Sequence, residues 1–204
     1  MRFREFAAAL IILGAALTAG CPDGAGLGLP FAAIPDGTYA GSVDGFVEIW
    51  HWDELYQQGS GGGESAATFV NGAIVKDSGQ DLQIGDVEDV DFGSFTATRE
   101  VFDVQVGAGF YEVAYEVYAE WETVPMYGTE VITFTGNADG SVAMVDTLEL
   151  TSLADYDGGA WTFYAETSGA LSSVQGPVEE PEDPPFDILD LKSGKFVIGD
   201  ATTR

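Results

Sequence analysis

Basic residues are scarce: 7 Lys and Arg face 34 Asp and Glu in 204 residues, a formal net charge of −27. Neutralising nucleic-acid phosphates takes clustered cations, so a nucleic-acid partner is excluded, and direct attraction to an anionic leaflet is excluded with it. The chain holds one cysteine, Cys21, and one histidine, His51. A disulfide within the chain, a cysteine zinc site, a Cys/His nucleophile and an HExxH centre are therefore all out of reach. Neither G-x-S-x-G nor S-x-x-K occurs, which removes the usual serine signatures. No segment carries helical periodicity over three turns. The stretch Gly59-Ser60-Gly61-Gly62-Gly63 lacks a Gly-Lys-Ser/Thr ending, so it reads as a flexible loop and not as a phosphate cradle.

What is present begins with a leader. Arg2 and Arg4 precede an apolar run from Phe6 to Ala19, which ends in Thr18-Ala19-Gly20 just before Cys21. A basic start, a short apolar core and a small-residue cleavage point describe a secretory signal peptide over residues 1–20, too short for an ordinary membrane span. The segment Leu17-Thr18-Ala19-Gly20-Cys21 resembles the lipobox of bacterial lipoproteins. The resemblance implies a diacylglyceryl group on the Cys21 thiol, cleavage before it and acylation of the new amino terminus with palmitate-type chains. Two or three acyl chains, each buried methylene contributing about 0.8 kcal/mol, anchor stably where a single chain does not. The partner so implied is a membrane, held through Cys21. Pro22 follows where an Asp would mark retention, which by the same resemblance points to the outer membrane if the cell is Gram-negative. Removing the leader leaves 5 basic and 33 acidic residues, a formal charge of about −28.

The remainder divides by composition. Residues 21–35 are rich in Gly and Pro and read as a tether. Residues 36–175 carry period-two patterning and form the expected folded domain. Residues 176–187 are a Pro/acid linker, and residues 188–204 a tail with a short apolar stretch, Lys195-Phe196-Val197-Ile198, suited to a sheet edge or to staying unpaired. Overall the chain is 46% hydrophobic and 12% aromatic, enough to build a core.

Within the domain the clearest strand is Phe110 to Glu122. Tyr111, Val113, Tyr115, Val117, Ala119 and Trp121 share one face, and Glu112, Glu116, Glu120 and Glu122 the other. Strands are also expected at Thr129–Thr135 and Ser141–Thr151, joined by the turn Asn137-Ala138-Asp139-Gly140. Asn71-Gly72 suits a type I′ hairpin between Ala66–Val70 and Ala73–Lys76. Further candidates are Thr38–Val43, Phe46–Trp52, Asp81–Ile84, Ser94–Val106 and Ala160–Ala165. The expected fold class is all-β: an antiparallel meander of about eight or nine strands, closed as a barrel or folded as a β-sandwich. The opening Asp36-Gly37-Thr38-Tyr39-Ala40-Gly41 and the later Ala154-Asp155-Tyr156 are similar to the Gly-x-Trp start and Thr-Asp-Tyr loop of lipocalin-like barrels. That resemblance implies an interior cavity able to take a small apolar ligand.

Several residues stand out chemically. Asp146 falls on the stripe Val142, Met144, Leu148, Leu150, and Arg99 on the stripe Phe95, Ala97, Val101. A carboxylate on an apolar face needs a partner, so Arg99 and Asp146 are expected to form a buried ion pair, unless a bulge turns Asp146 outward. His51, between Trp50 and Trp52, is expected as a packed or rim residue. Trp50, Trp52 and Tyr56 are candidate contact aromatics. Asp86, Glu88, Asp89 and Asp91, with Asp155 and Asp157, offer oxygen ligands that could hold Ca²⁺, yet none follows EF-hand spacing, and solvated acidic loops are the simpler reading. No catalytic residue and no cofactor is assigned.

These observations lead to a non-catalytic, lipid-anchored cell-envelope protein whose β-domain binds a ligand or an envelope protein, or serves structurally. Two other functions fit the same residues. One is a carbohydrate-active hydrolase using paired carboxylates, and the other a module that binds a protein partner through exposed aromatics.

Overall fold

The computed structural model describes residues 31–76, 78–91, 95–121, 123–155, 159–174 and 199–200. Cys21, Asp157, the 176–187 linker and the Lys195–Ile198 stretch lie outside them. All regular structure in the described residues is β: β1 (Gly37–His51), β2 (Glu54–Val70), β3 (Ala73–Ile74), β4 (Val87–Asp91), β5 (Thr96–Gly107), β6 (Phe110–Trp121), β7 (Val124–Gly136), β8 (Val142–Ser152), β9 (Trp161–Val174) and β10 (Gly199–Asp200). They form one antiparallel sheet in the order β10-β2-β1-β9-β8-β7-β6-β5-β4, with β3 paired to β2.

From β4 to β9 the chain is a plain meander of hairpins, and β9 then pairs with β1, so that Thr38 lies opposite Val174 and His51 opposite Trp161. The strand order is thus that of an up-and-down barrel opened at one seam. The expected closed barrel is not formed, because among the described residues no ladder joins β2 to β4. The reason is local. After the β2–β3 hairpin, residues 75–76 and 78–86 leave the sheet direction and cover its end, burying Leu82, before the five-residue β4 begins. The expected strand at Asp81–Ile84 is instead part of this cover, held by Leu82 N–H to Ile74 O at 2.8 Å and a single Val75–Asp81 bridge.

Strand alternation holds across the sheet. Tyr111, Val113, Tyr115 and Val117 are buried on the inner face of β6, as the sequence pattern predicts. The inner face gathers Tyr39, Val43, Val47, Phe69, Val101, Phe134, Val142, Leu148, Leu150, Phe163 and Leu171 into one core. Contacts across the roll, such as Ser65 Oγ to Met144 Sδ at 3.2 Å and Phe69 against Phe134 at 5.4 Å, show that the sheet curls until β2 packs over β7 and β8.

Glycine enables that curl. The expected flexible loop at Gly59–Gly63 is in fact the middle of the 17-residue strand β2, paired residue for residue with Val43–Val47. Loop-like composition misleads here because a strongly coiled sheet needs residues without Cβ on its concave side. At Gly45 an added Cβ would meet the Glu166 carbonyl and the Thr167 methyl at 2.5 and 2.7 Å. At the opposite extreme of local geometry, Asn71 and Gly72 both take positive φ (53° and 79°), as a type I′ turn demands.

The described end of the expected tether is not free chain. Ala32 N–H donates to Gly136 O at 3.2 Å, the Tyr39 hydroxyl donates to Pro35 O at 3.1 Å, and Ile34 packs on the core. Residues 31–36 therefore close one end of the roll.

Candidate functional site

The inner face is layered along the strands. At the end where β1 begins, Tyr39, Phe69, Tyr111 and Phe134 make edge-to-face contacts at 5.4–6.1 Å. Such pairs contribute about 0.5–1.5 kcal/mol each beyond area burial. The Tyr111 hydroxyl comes near the Ile74 backbone without making a hydrogen bond, and burial pushes its pKa up.

In the middle lies a charged layer. Strand β5 presents Arg99, whose Nε and Nη2 donate to Glu88 Oε2 on β4 at 3.1 and 2.9 Å, while Nη1 donates to Glu130 Oε2 on β7 at 2.8 Å. The guanidinium also sits 4.2 Å over the Tyr115 ring. Side-chain exposure falls from 31% at Glu88 to 17% at Arg99 and 2% at Glu130, so the layer runs from the seam edge into the interior. Burial opposes the charge on Arg99, but Glu130, Tyr115 and Glu88 together hold its pKa above the ordinary value. Burial also raises the Tyr115 phenol, with Arg99 opposing and Glu88 and Glu130 reinforcing the rise.

Asp146 belongs to this layer but not in the expected way. It is on the inner face, between Met144 and Leu148, yet the ion pairs of Arg99 are made with Glu88 and Glu130, and Asp146 Oδ1 is buried without a hydrogen-bond partner. Glu130 took the predicted place of Asp146 because it lies nearer to Arg99 across β6: Glu130 is opposite Tyr115, and Arg99 opposite Val117. Sequence reasoning missed Glu130, although it shares the inner face of its strand with Met126 and Phe134, the same signal that singled out Asp146. Burial, then the Glu130 charge, push the Asp146 carboxyl well above its ordinary pKa, with Arg99 opposing.

The far end, where β1 finishes, is aromatic again but open. His51 stacks on Trp161 at 4.3 Å and 14°, Tyr56 meets Trp161 edge-on at 5.0 Å, and Trp121 meets it at 5.6 Å. Trp52 and Tyr56 remain 65% and 58% exposed. A bulge between Ile49 and Trp50 leaves Tyr56 unpaired in the ladder, and Trp52 adopts φ 60°, a left-handed conformation costly for a bulky residue. The Trp52 amide donates to Ala160 O at 3.0 Å, and its indole lies against Gly159, where any Cβ would collide with it. Of the three candidate contact aromatics, Trp52 and Tyr56 share this rim. Trp50 is on the outer face, its Nε1 donating to Glu48 Oε2 at 3.1 Å.

On the same end, an open groove of about 560 Å³ runs beside β5, β6 and β7, with exposed Tyr118 and Leu153 and the carboxylates of Asp89 and Glu120 in its walls. Among the described residues no basic side chain lines it. Tyr118 leans on Tyr127 at 4.7 Å.

The Ca²⁺ candidates with described side chains, Asp86, Glu88, Asp89 and Asp155, are not brought together. Asp86 pairs with Lys76 at 2.8 Å, Glu88 with Arg99, and Asp89 accepts from Thr98 Oγ1 at 2.8 Å, while Asp91 belongs to the β4 ladder and Asp155 is on the β8–β9 loop. Hydrogen bonding to Lys76 and to the Gln83 amide lowers the Asp86 pKa. Among the described residues no group of three acidic or histidine side chains could hold a metal ion.

Compared with known proteins, the chain matches no family model, no curated protein and no solved structure.

Proposed function

We propose that this is a non-catalytic cell-envelope lipoprotein, anchored through lipid on Cys21, whose β-domain binds a partner through its open aromatic end. The observation that carries the binding reading is the exposure of Trp52 and Tyr56 on a rim backed by the Trp161–His51 stack. Large exposed aromatics held in fixed geometry lose little conformational entropy on binding and dominate contact energy. A small apolar ligand inside the roll is disfavoured, because its inner face is occupied by packed aromatics and the charged layer. With no cation on the groove and carboxylates in its walls, the favoured partner surface is neutral or cationic.

The test is capture of partners from solubilised envelope by the full-length protein, beside a Trp52→Ala/Tyr56→Ala variant of equal stability. Loss of capture supports the reading, and equal capture refutes it. The anchor is tested separately: Cys21→Ser should move the protein out of the membrane fraction, and unchanged partitioning refutes lipidation.

A hydrolase has one observation in its favour, the presence of both Asp89 and Glu120 in one groove. Hydrolysis of envelope glycan that Glu120→Gln abolishes would establish it.

A further inference from the structure

The charged layer holds three carboxylates and a single guanidinium. Arg99 donates from Nε and Nη2 to Glu88 and from Nη1 to Glu130, and Asp146, half-buried as a residue, keeps its Oδ1 away from solvent without a hydrogen bond. An ionised carboxylate cannot be held cheaply in that position, whereas a neutral carboxylic acid can. The ionisable groups around it are Glu130 from β7, Arg99 from β5, Tyr115 from β6 and Glu88 from β4. Its ladder neighbours, Ile132 on β7 and Thr167 on β9, do not titrate, nor do Gly45 on β1 and the inner-face glycines of β2.

We propose that Asp146 is held as a neutral acid while β4 is docked on β5, and that losing its proton unlatches this edge strand from the sheet. Strand β4 is a short edge strand, at the end of the sheet path opposite the two-residue β10. It is five residues long, pairs only with β5 among the described residues, and its inner face is tied down by Glu88 to Arg99. A charge on Asp146 sets a third anion competing for the same guanidinium. Arg99 then turns inward, Glu88 loses its partner, and β4 loses its side-chain tie. Release of β4 from β5 in turn admits water to Asp146 Oδ1 and returns the carboxyl toward ordinary acidity.

The sign of the pH dependence follows from the raised acid. Burial, reinforced by Glu130, lifts the carboxyl above its ordinary value of 3.8 while β4 is docked. The contribution of Asp146 to docking is therefore complete below about pH 4 and is lost as pH rises through the raised pKa of the docked state. One proton changes the opening equilibrium by up to about tenfold per pH unit within that window and not beyond it.

The experiment is amide hydrogen exchange of Val87–Val90 in the full-length protein between pH 5 and 9, corrected for the intrinsic rate. The wild type should lose β4 protection with rising pH relative to Asp146→Asn, which removes the proton while keeping the shape. Identical pH dependence in the two proteins overturns the latch. Titration of the Asp146 ¹³Cγ resonance in the wild type decides the matter if the variant fails to fold. A midpoint well above the ordinary carboxylate range is expected, and a midpoint near 4 overturns the proposal.

Discussion

The two ends of the rolled sheet are built from the same class of residue and put to opposite use. At one end Tyr39, Phe69, Tyr111 and Phe134 are all at most 5% exposed, covered by residues 31–36. At the other, Trp161 is packed by three aromatic neighbours, but Trp52 and Tyr56 face solvent. Aromatic content alone does not tell a core from a contact surface. What separates them is whether the chain returns to cover the rings: it does so at the first end through Ile34 and Leu82.

Substitutions can break or sharpen this contrast. The largest effect is expected between the two ends, at the charged layer. Arg99→Ala strands Glu130 in the interior, and chemical denaturation should show a loss of about 3–5 kcal/mol. Phe69→Ala at the covered end should cost a comparable 3–5 kcal/mol, because a fully buried ring leaves a cavity that its edge-to-face neighbours cannot fill. At the open end, Trp52→Ala should change stability by no more than about 0.5 kcal/mol, as for ordinary surface positions, while abolishing partner capture. A large loss there would make Trp52 part of the core and erase the contrast. The smallest effect is on the outer surface. Added salt should raise the melting temperature by screening repulsion among the excess carboxylates, and an unchanged value would show that this excess does not strain the fold.

The strands with strict alternation were legible. On β6 the inner-face residues emerge from the pattern alone, and the Asn71-Gly72 turn is fixed by its need for two positive φ values. Of strand β2 only the end Ala66–Val70 was legible; Glu54–Ser65 was not, because its glycines serve the curvature of a neighbouring strand, a requirement that exists only once β1, β2 and β9 are side by side. The same limit applied to the ion pair. The sequence marked Arg99 and Asp146 as inward charges, but partner choice depended on cross-strand register, which placed Glu130 closer. The open rim was legible only as a cluster of aromatics around His51. Its connection to Trp161, more than 100 residues later in the chain, depends on the β1–β9 ladder.

That ladder also sets how the domain is mounted. Because Thr38 lies beside Val174, β1 begins and β9 ends at the same, covered end. Pulling on the N-terminal segment thus loads this pole of the domain, and the strands run away from it like staves from a base. A domain fixed by its amino terminus to any surface would hold Trp52, Tyr56 and the groove at the full strand length from it, about 45–50 Å for a strand of 15 residues.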